Sequence, residues 1–322
     1  MYVIVFSSNK SLICIIKAID MSNVGIIIEE RAADLGDFLV GRLLPFKQKR
    51  MVGPFVFIDH MGPAVMGGDD NLDVGAHPHI GLSTLTYLFE GEIMHRDSLG
   101  NEVIIGPRAV NWMTAGRGVT HSERTPEYLR GAAKTLHGLQ IWVALPKDKE
   151  HISPSFQHYN AQSLPTWNEN EVIFTLIAGS LNNKHAPVNV YSPLYMLEIV
   201  NNTRHAKEIN IGEALYGEAG MYILCGEVES EGNIYNDKQL LVAKNAKLCS
   251  FKLLPQTTVY IFGGEPFPEE RFIFWNFVSS DKAILDKAIQ DWHDDKFPKV
   301  IGESERVPLP KYFENKLNTK NE

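Results

Sequence analysis

Ala76-His-Pro-His-Ile-Gly-Leu-Ser-Thr-Leu-Thr-Tyr-Leu-Phe-Glu-Gly91 decides the fold. From Leu82 to Phe89 apolar and hydroxyl-bearing residues alternate, the period-two pattern of a strand with one buried face. The texture continues on both sides, in Gly53-Pro-Phe-Val-Phe-Ile-Asp, Glu102-Val-Ile-Ile-Gly and Leu139-Gln-Ile-Trp-Val-Ala-Leu. Asp97-Ser-Leu-Gly-Asn101 reads as a turn between two such strands. Short strands with turn residues between them predict a sandwich or barrel. A second region, Tyr195 to Phe262, repeats the pattern in Met221-Tyr-Ile-Leu-Cys-Gly-Glu-Val and Thr257-Thr-Val-Tyr-Ile-Phe. The fold class is therefore all-β in two halves.

Between the halves, Pro146 to Val190 is rich in Pro, Asn and Gln and reads as a connection with one strand of its own at Val172 to Leu176. The expected organisation is a domain over 21–145 and a second unit over 146–322. A C-terminal helix is expected over Asp281 to His293, where Ile284, Leu285, Ala288, Ile289 and Trp292 form a stripe behind a Ser279-Ser280 cap. The tail after Phe297 reads as irregular chain on the surface. Residues 1–20 stand apart: Ser7 to Ser11 interrupts two apolar runs, and Lys10 and Lys17 fall where a secretory signal would be apolar. They read as an N-terminal extension of the kind an upstream start codon would add.

With 322 residues, 31 basic and 39 acidic side chains and a net charge of −8, the chain offers no overall field for phosphate backbones or anionic lipid. Nucleic acid and membrane are therefore not expected as direct partners. The three cysteines, Cys14, Cys225 and Cys249, have no CxxC spacing, which suits reduced thiols in a cytoplasmic protein.

The chemistry is concentrated in Gly75-Ala-His77-Pro-His79 and Gly118-Val-Thr-His121-Ser-Glu123. Each holds two donors at i and i+2, which a strand presents on one face. Three imidazoles and a carboxylate form a mixed nitrogen–oxygen set suited to a first-row metal, and the lack of sulfur argues against a closed structural zinc site. A lone histidine would more often be a surface or hydrogen-bonded core residue; two paired sets shift the balance to a metal. Phe55, Phe57 and Trp112 could wall a pocket for a flat aromatic substrate, with core packing the default for such large aromatics. His95 could line the mouth of the site but reads first as a solvated loop residue, and His60 reads as structural. Gly116 and Gly118 give the backbone freedom before His121.

Gly53-Pro-Phe-Val-Phe-Ile-Asp-His-Met-Gly-Pro63, the quoted Ala76–Gly91 run, Trp112-Met-Thr-Ala-Gly-Arg-Gly-Val-Thr-His-Ser-Glu123, His137-Gly-Leu-Gln-Ile-Trp-Val and Gly263-Gly-Glu-Pro-Phe-Pro-Glu-Glu-Arg271 together resemble the pirin family. The resemblance implies a bicupin, two β-sandwich barrels of jelly-roll type, with one divalent metal in the N-terminal barrel held by His77, His79, His121 and Glu123. Fe(II) is the metal it implies first, with other first-row metals admitted. It further implies a quercetin 2,3-dioxygenase activity on a flavonol-like substrate and dioxygen, with Glu123 as the base. The alternative within the family is a non-enzymatic iron- or redox-sensing protein that binds a regulatory partner. A general cupin pattern places a glutamate shortly after HxH, where this chain has Leu82 and Ser83. The second half has no HxH or HxE pair and reads as a metal-free barrel.

Overall fold

The computed structural model describes residues 23–34, 39–244 and 250–318, together with the backbone of a two-residue ladder between Tyr2–Val3 and Ile16–Lys17. The rest of the extension over 1–20, with Cys14, lies outside the described residues, as does Cys249.

Two sandwiches account for most of the chain. In the first, a seven-stranded sheet runs Ser155–Tyr159, Val110–Thr114, Leu82–Glu90, Lys134–Ala144, Phe55–Met66, Leu39–Leu44 and Arg31–Asp34. It faces a four-stranded sheet of Glu102–Ile105, Ile93–Asp97, Val119–Arg124 and Asp73–His79. The second sandwich pairs an eight-stranded sheet built around Leu194–Asn201, Thr257–Gly264 and Glu218–Cys225 with a four-stranded one ending in Lys207–Asn210 and Asn233–Asn236. The ladders are antiparallel, as short strands joined by tight turns require. This is the all-β, two-barrel arrangement with a C-terminal helix that the strand texture predicts.

The two large sheets lie back to back and share one core. Phe55, Leu85, Tyr87, Trp112 and Ile141 of the first pack with Met196, Tyr222, Tyr260 and Phe262 of the second. Phe89 stacks on Tyr260 with ring centroids 5.3 Å apart. A polar knot pins the same interface: His60 Nδ1 meets Glu30 Oε1 at 2.7 Å, His60 Nε2 meets His137 Nε2 at 2.8 Å, and the Tyr222 hydroxyl donates to Glu30. His60 is thus a buried structural residue, as its sequence context suggests.

Strands cross between the halves in both directions. Val24–Glu29 joins the second large sheet, with Ile28 opposite Leu240, while Ser155–Tyr159 joins the first, with Gln157 opposite Trp112. Sheet membership departs from the division 21–145 and 146–322 at these two strands. The reason is packing: Ile28 is fully buried in the shared core, which it reaches from the edge of the partner sheet.

The C-terminal helix spans Lys282–His293, and its cap is Asp281, whose carboxylate accepts from Ala283 N at 2.8 Å. Ser279 of the expected cap instead receives Asp281 N and donates to Glu150 at 2.7 Å. Leu285, Ala288, Ile289 and Trp292 are buried against Ile80, Phe277, Leu309 and Leu317. The tail after Phe297 runs along the surface, with most of residues 298–308 exposed, and it is hydrogen-bonded in place. Ala76 N donates to Glu305 O and Val307 N to Ala76 O, so the tail runs beside the HxH strand before a second helix, Lys311–Asn318. Among the described residues, no helix is long and apolar enough to cross a membrane.

Candidate metal centre

The HxH strand, Asp73–His79, and the HxE strand, Val119–Arg124, are neighbours in the small sheet, with His121 directly opposite His77 and Val119 opposite His79. The i, i+2 spacing puts His77 and His79 on one face, and the register brings His121 to them from across the ladder. The ligand atoms of the three imidazoles lie within 4.8 Å of one another, and His79 Nε2 is 3.1 Å from His121 Nε2. All three side chains are buried.

Their orientation is set at the other ring nitrogen. His77 Nδ1 donates to Gly75 O at 2.9 Å, and His79 Nδ1 donates to Asn276 O at 3.0 Å. His121 Nδ1 faces His95 Nδ1 at 3.4 Å. Burial pushes the His77 imidazole down to about 4 and holds His79 and His121 well below the ordinary histidine value, so the cluster is neutral at neutral pH. Neutral imidazoles with Nδ1 tied and Nε2 turned inward are the state in which histidine binds a metal. The donor set therefore fits a first-row divalent ion.

Glu123 stands differently. The ladder register shifts between His121 and Glu123, and the carboxylate is outside the three-histidine group, near Thr86 Oγ1 at 3.5 Å. It borders the same cavity, and burial raises its pKa above the usual carboxylate value.

That cavity has a volume of about 460 Å³ and lies between the two sheets of the first barrel. His77, His79 and Glu123 line the small-sheet side; Phe57, Gln140 and Trp142 line the other. Phe57 and Trp142 stack with centroids 4.0 Å apart, and Trp142 meets the His79 ring edge-on at 5.2 Å. Of the three aromatics, Phe57 lines the cavity, while Phe55 and Trp112 follow the default and pack in the core between the barrels. The register shift between Trp142 and Val143, opposite Phe57 and Phe55, inserts a bulge at Val56. One extra residue reverses the alternation and sends the two phenylalanines to opposite faces. Arg42 enters the cavity on the Phe57 ring at 4.7 Å, held by two hydrogen bonds to buried Asp59 at 2.7 and 2.8 Å.

A model for the family described as Pirin matches residues 38–143, and one for the Pirin C-terminal cupin domain matches residues 201–298. This chain belongs to the pirin family. A pirin-like protein of Caulobacter vibrioides is 45% identical over 295 residues, 89% of this pirin and 99% of the relative. The crystal structure of a quercetin 2,3-dioxygenase from Acinetobacter baumannii superposes with a TM-score of 0.80 at 31% identity, covering 88% of this pirin and 94% of that chain. A bacterial pirin from Escherichia coli, solved in complex with nickel(II), shares the fold at a TM-score of 0.58 and 17% identity, over 75% of this pirin and 99% of its own chain. The bicupin architecture is thus that of the family.

Sequence reasoning missed two contributors. His95 is 3% exposed and sits on the strand Ile93–Asp97, not in a solvated loop. Reading Asp97 as the start of a turn hid the alternation of Ile93, His95 and Asp97, all buried, which is an i, i+2 pair of the same form as HxH and HxE. Asn276 contributes only its backbone carbonyl and leaves no side-chain signal. It reaches His79 from the hairpin Phe272–Phe274/Phe277–Ser279, which packs close because residue 81 is glycine: a Cβ there would lie 1.9 Å from Val278 O.

Proposed function

We propose that this pirin is a metal-dependent dioxygenase that cleaves a flavonol such as quercetin, using one divalent ion, Fe(II) first among the candidates. His77, His79 and His121 would hold the ion, with Glu123 as fourth protein donor and as base. The observation that carries the reading is the convergence of three neutral imidazoles on an aromatic-walled cavity in a chain whose fold matches a quercetin 2,3-dioxygenase. A divalent ion bound there supplies Lewis acidity toward an oxygen donor.

The protein's own groups suit the remainder of the task. Phe57, Trp142 and Trp275 offer apolar surface to a planar ring system. Thr86 Oγ1 donates to Gln140 Oε1 at 2.8 Å, which fixes the amide with its donors available to the cavity. Glu123, buried and with a raised proton affinity, would take the proton of a phenolic hydroxyl. Arg42 presents a cation for oxygens on the far side of the ring.

Anaerobic loading with Fe(II), followed by quercetin and air, tests the proposal by oxygen uptake and carbon monoxide release. A fully loaded protein that consumes no oxygen with flavonols would turn the assignment to the non-enzymatic, iron- or redox-sensing role with a regulatory protein partner.

A further inference from the structure

The three clustered imidazoles are all held at Nδ1, but by unlike acceptors. His77 and His79 donate to neutral peptide carbonyls, Gly75 O and Asn276 O. His121 meets another imidazole, His95, whose Nε2 lies 3.2 Å from Asp97 Oδ2. Both His95 and Asp97 are buried, and the His95 ring stacks on Phe156 at 4.5 Å and 17°.

One arrangement of protons satisfies every group. With Nε2 turned to the cluster, His121 carries its hydrogen on Nδ1 and donates to His95 Nδ1. His95 then carries its hydrogen on Nε2 and donates to Asp97. The carboxylate is locked in place by its other partners: Oδ1 accepts from Leu99 N at 2.9 Å and Asn101 N at 3.0 Å, and Oδ2 from Asn101 Nδ2 at 2.8 Å. Strand register builds the chain, since Asp97 stands opposite His121 and His95 opposite Glu123.

We propose that His95 and Asp97 form a positioning chain that fixes the tautomer of His121 and passes carboxylate charge to it, making His121 the strongest donor of the three. A carbonyl acceptor sets the direction of a ring; an acceptor backed by an anion also raises the electron density at the opposite nitrogen. The centre is therefore unequal among its histidines, with the most basic one on the HxE strand beside Glu123. The inference rests on the metal being held at these imidazoles, as in the reading above, and is independent of the substrate.

Co(II) titration of the full chain, followed by its visible bands and by competition with a chelator, is the test. His95→Phe keeps a ring on Phe156 but removes the acceptor; His95→Gln returns an oxygen acceptor; Asp97→Asn leaves both rings in place and removes the anion. H95F is expected to weaken binding by about 10- to 100-fold, the usual scale for loss of a partner behind a ligand. It should also shift the bands. D97N should move affinity and bands the same way without touching any ligand, and H95Q should recover most of the loss. Melting curves of the metal-free variants identify those that fold, and D97N carries the test if H95F does not. Unchanged affinity and bands in folded D97N or H95F, with Co(II) bound by the wild type, overturn the chain alone. A wild type that binds no Co(II) overturns it together with the metal site.

Discussion

Arg124 and Glu303 form a forked ion pair, with Nε 2.9 Å from Oε1 and Nη2 2.6 Å from Oε2, that fastens the C-terminal tail to the strand carrying His121. Glu303 is almost fully buried and also accepts from Ser122 Oγ at 2.9 Å, so residues on both sides of Glu123 are held by one tail carboxylate. Arg124→Met leaves that carboxylate without its main partner. We expect a loss of about 3–5 kcal/mol, toward the lower end because the Ser122 bond remains. Urea unfolding of the metal-free protein measures it; an unchanged midpoint would mean that the ion pair contributes nothing to stability.

Metal content should be one ion per chain and should collapse in His79→Ala. Losing His79 removes a ligand atom 3.1 Å from that of His121 and leaves two imidazoles. Elemental analysis after dialysis decides the point, and wild-type metal content in the variant would remove His79 from the site.

Glu123→Gln separates ligand from base. The amide keeps size and an oxygen donor but takes no proton at neutral pH. The variant should retain much of its metal while flavonol turnover falls by roughly 100-fold or more, the scale of a general-base contribution. Wild-type turnover in a metal-replete Glu123→Gln protein would refute the role.

Acid should destabilise the metal-free protein from the pH at which unfolded histidines take up protons. Burial, and next the charge of His60, pushes His137 down to about 4; burial does the same to His77. Unfolded, both imidazoles take up a proton near pH 6.5. The folded form refuses protons that the unfolded chain accepts, so stability is complete above about pH 6.5 and declines as pH falls toward 4. Urea midpoints across that range should drop, with a shallower slope in His137→Gln. A flat profile in the wild type would contradict the burial of these rings as neutral groups.

The HxH and HxE pairs were legible because strand periodicity converts an i, i+2 spacing directly into a shared face. Their meeting was not, since it depends on the register that sets His121 opposite His77. The long helix was read from its stripe, but its cap shifted to Asp281 because Ser279 is drawn to Glu150. Which of Phe55 and Phe57 reaches the cavity is hidden in the sequence, because the bulge at Val56 has no mark in composition. The acceptor for His79 lies 197 residues away in sequence and acts through a peptide carbonyl, a contact that no residue type announces.

The exchanged first strand has a consequence for biosynthesis. Glu29 pairs with Gln239, 210 residues later, so Val24–Glu29 leaves the ribosome long before its place in the second sheet exists. At about 5–20 residues per second, translation keeps Ile26-Ile-Ile28 waiting for roughly 10–40 seconds. During that interval a bare apolar strand is open to edge pairing with other nascent chains. The second barrel's large sheet cannot be completed while the chain is still short of Ala243, even though its edge strand is among the earliest residues made.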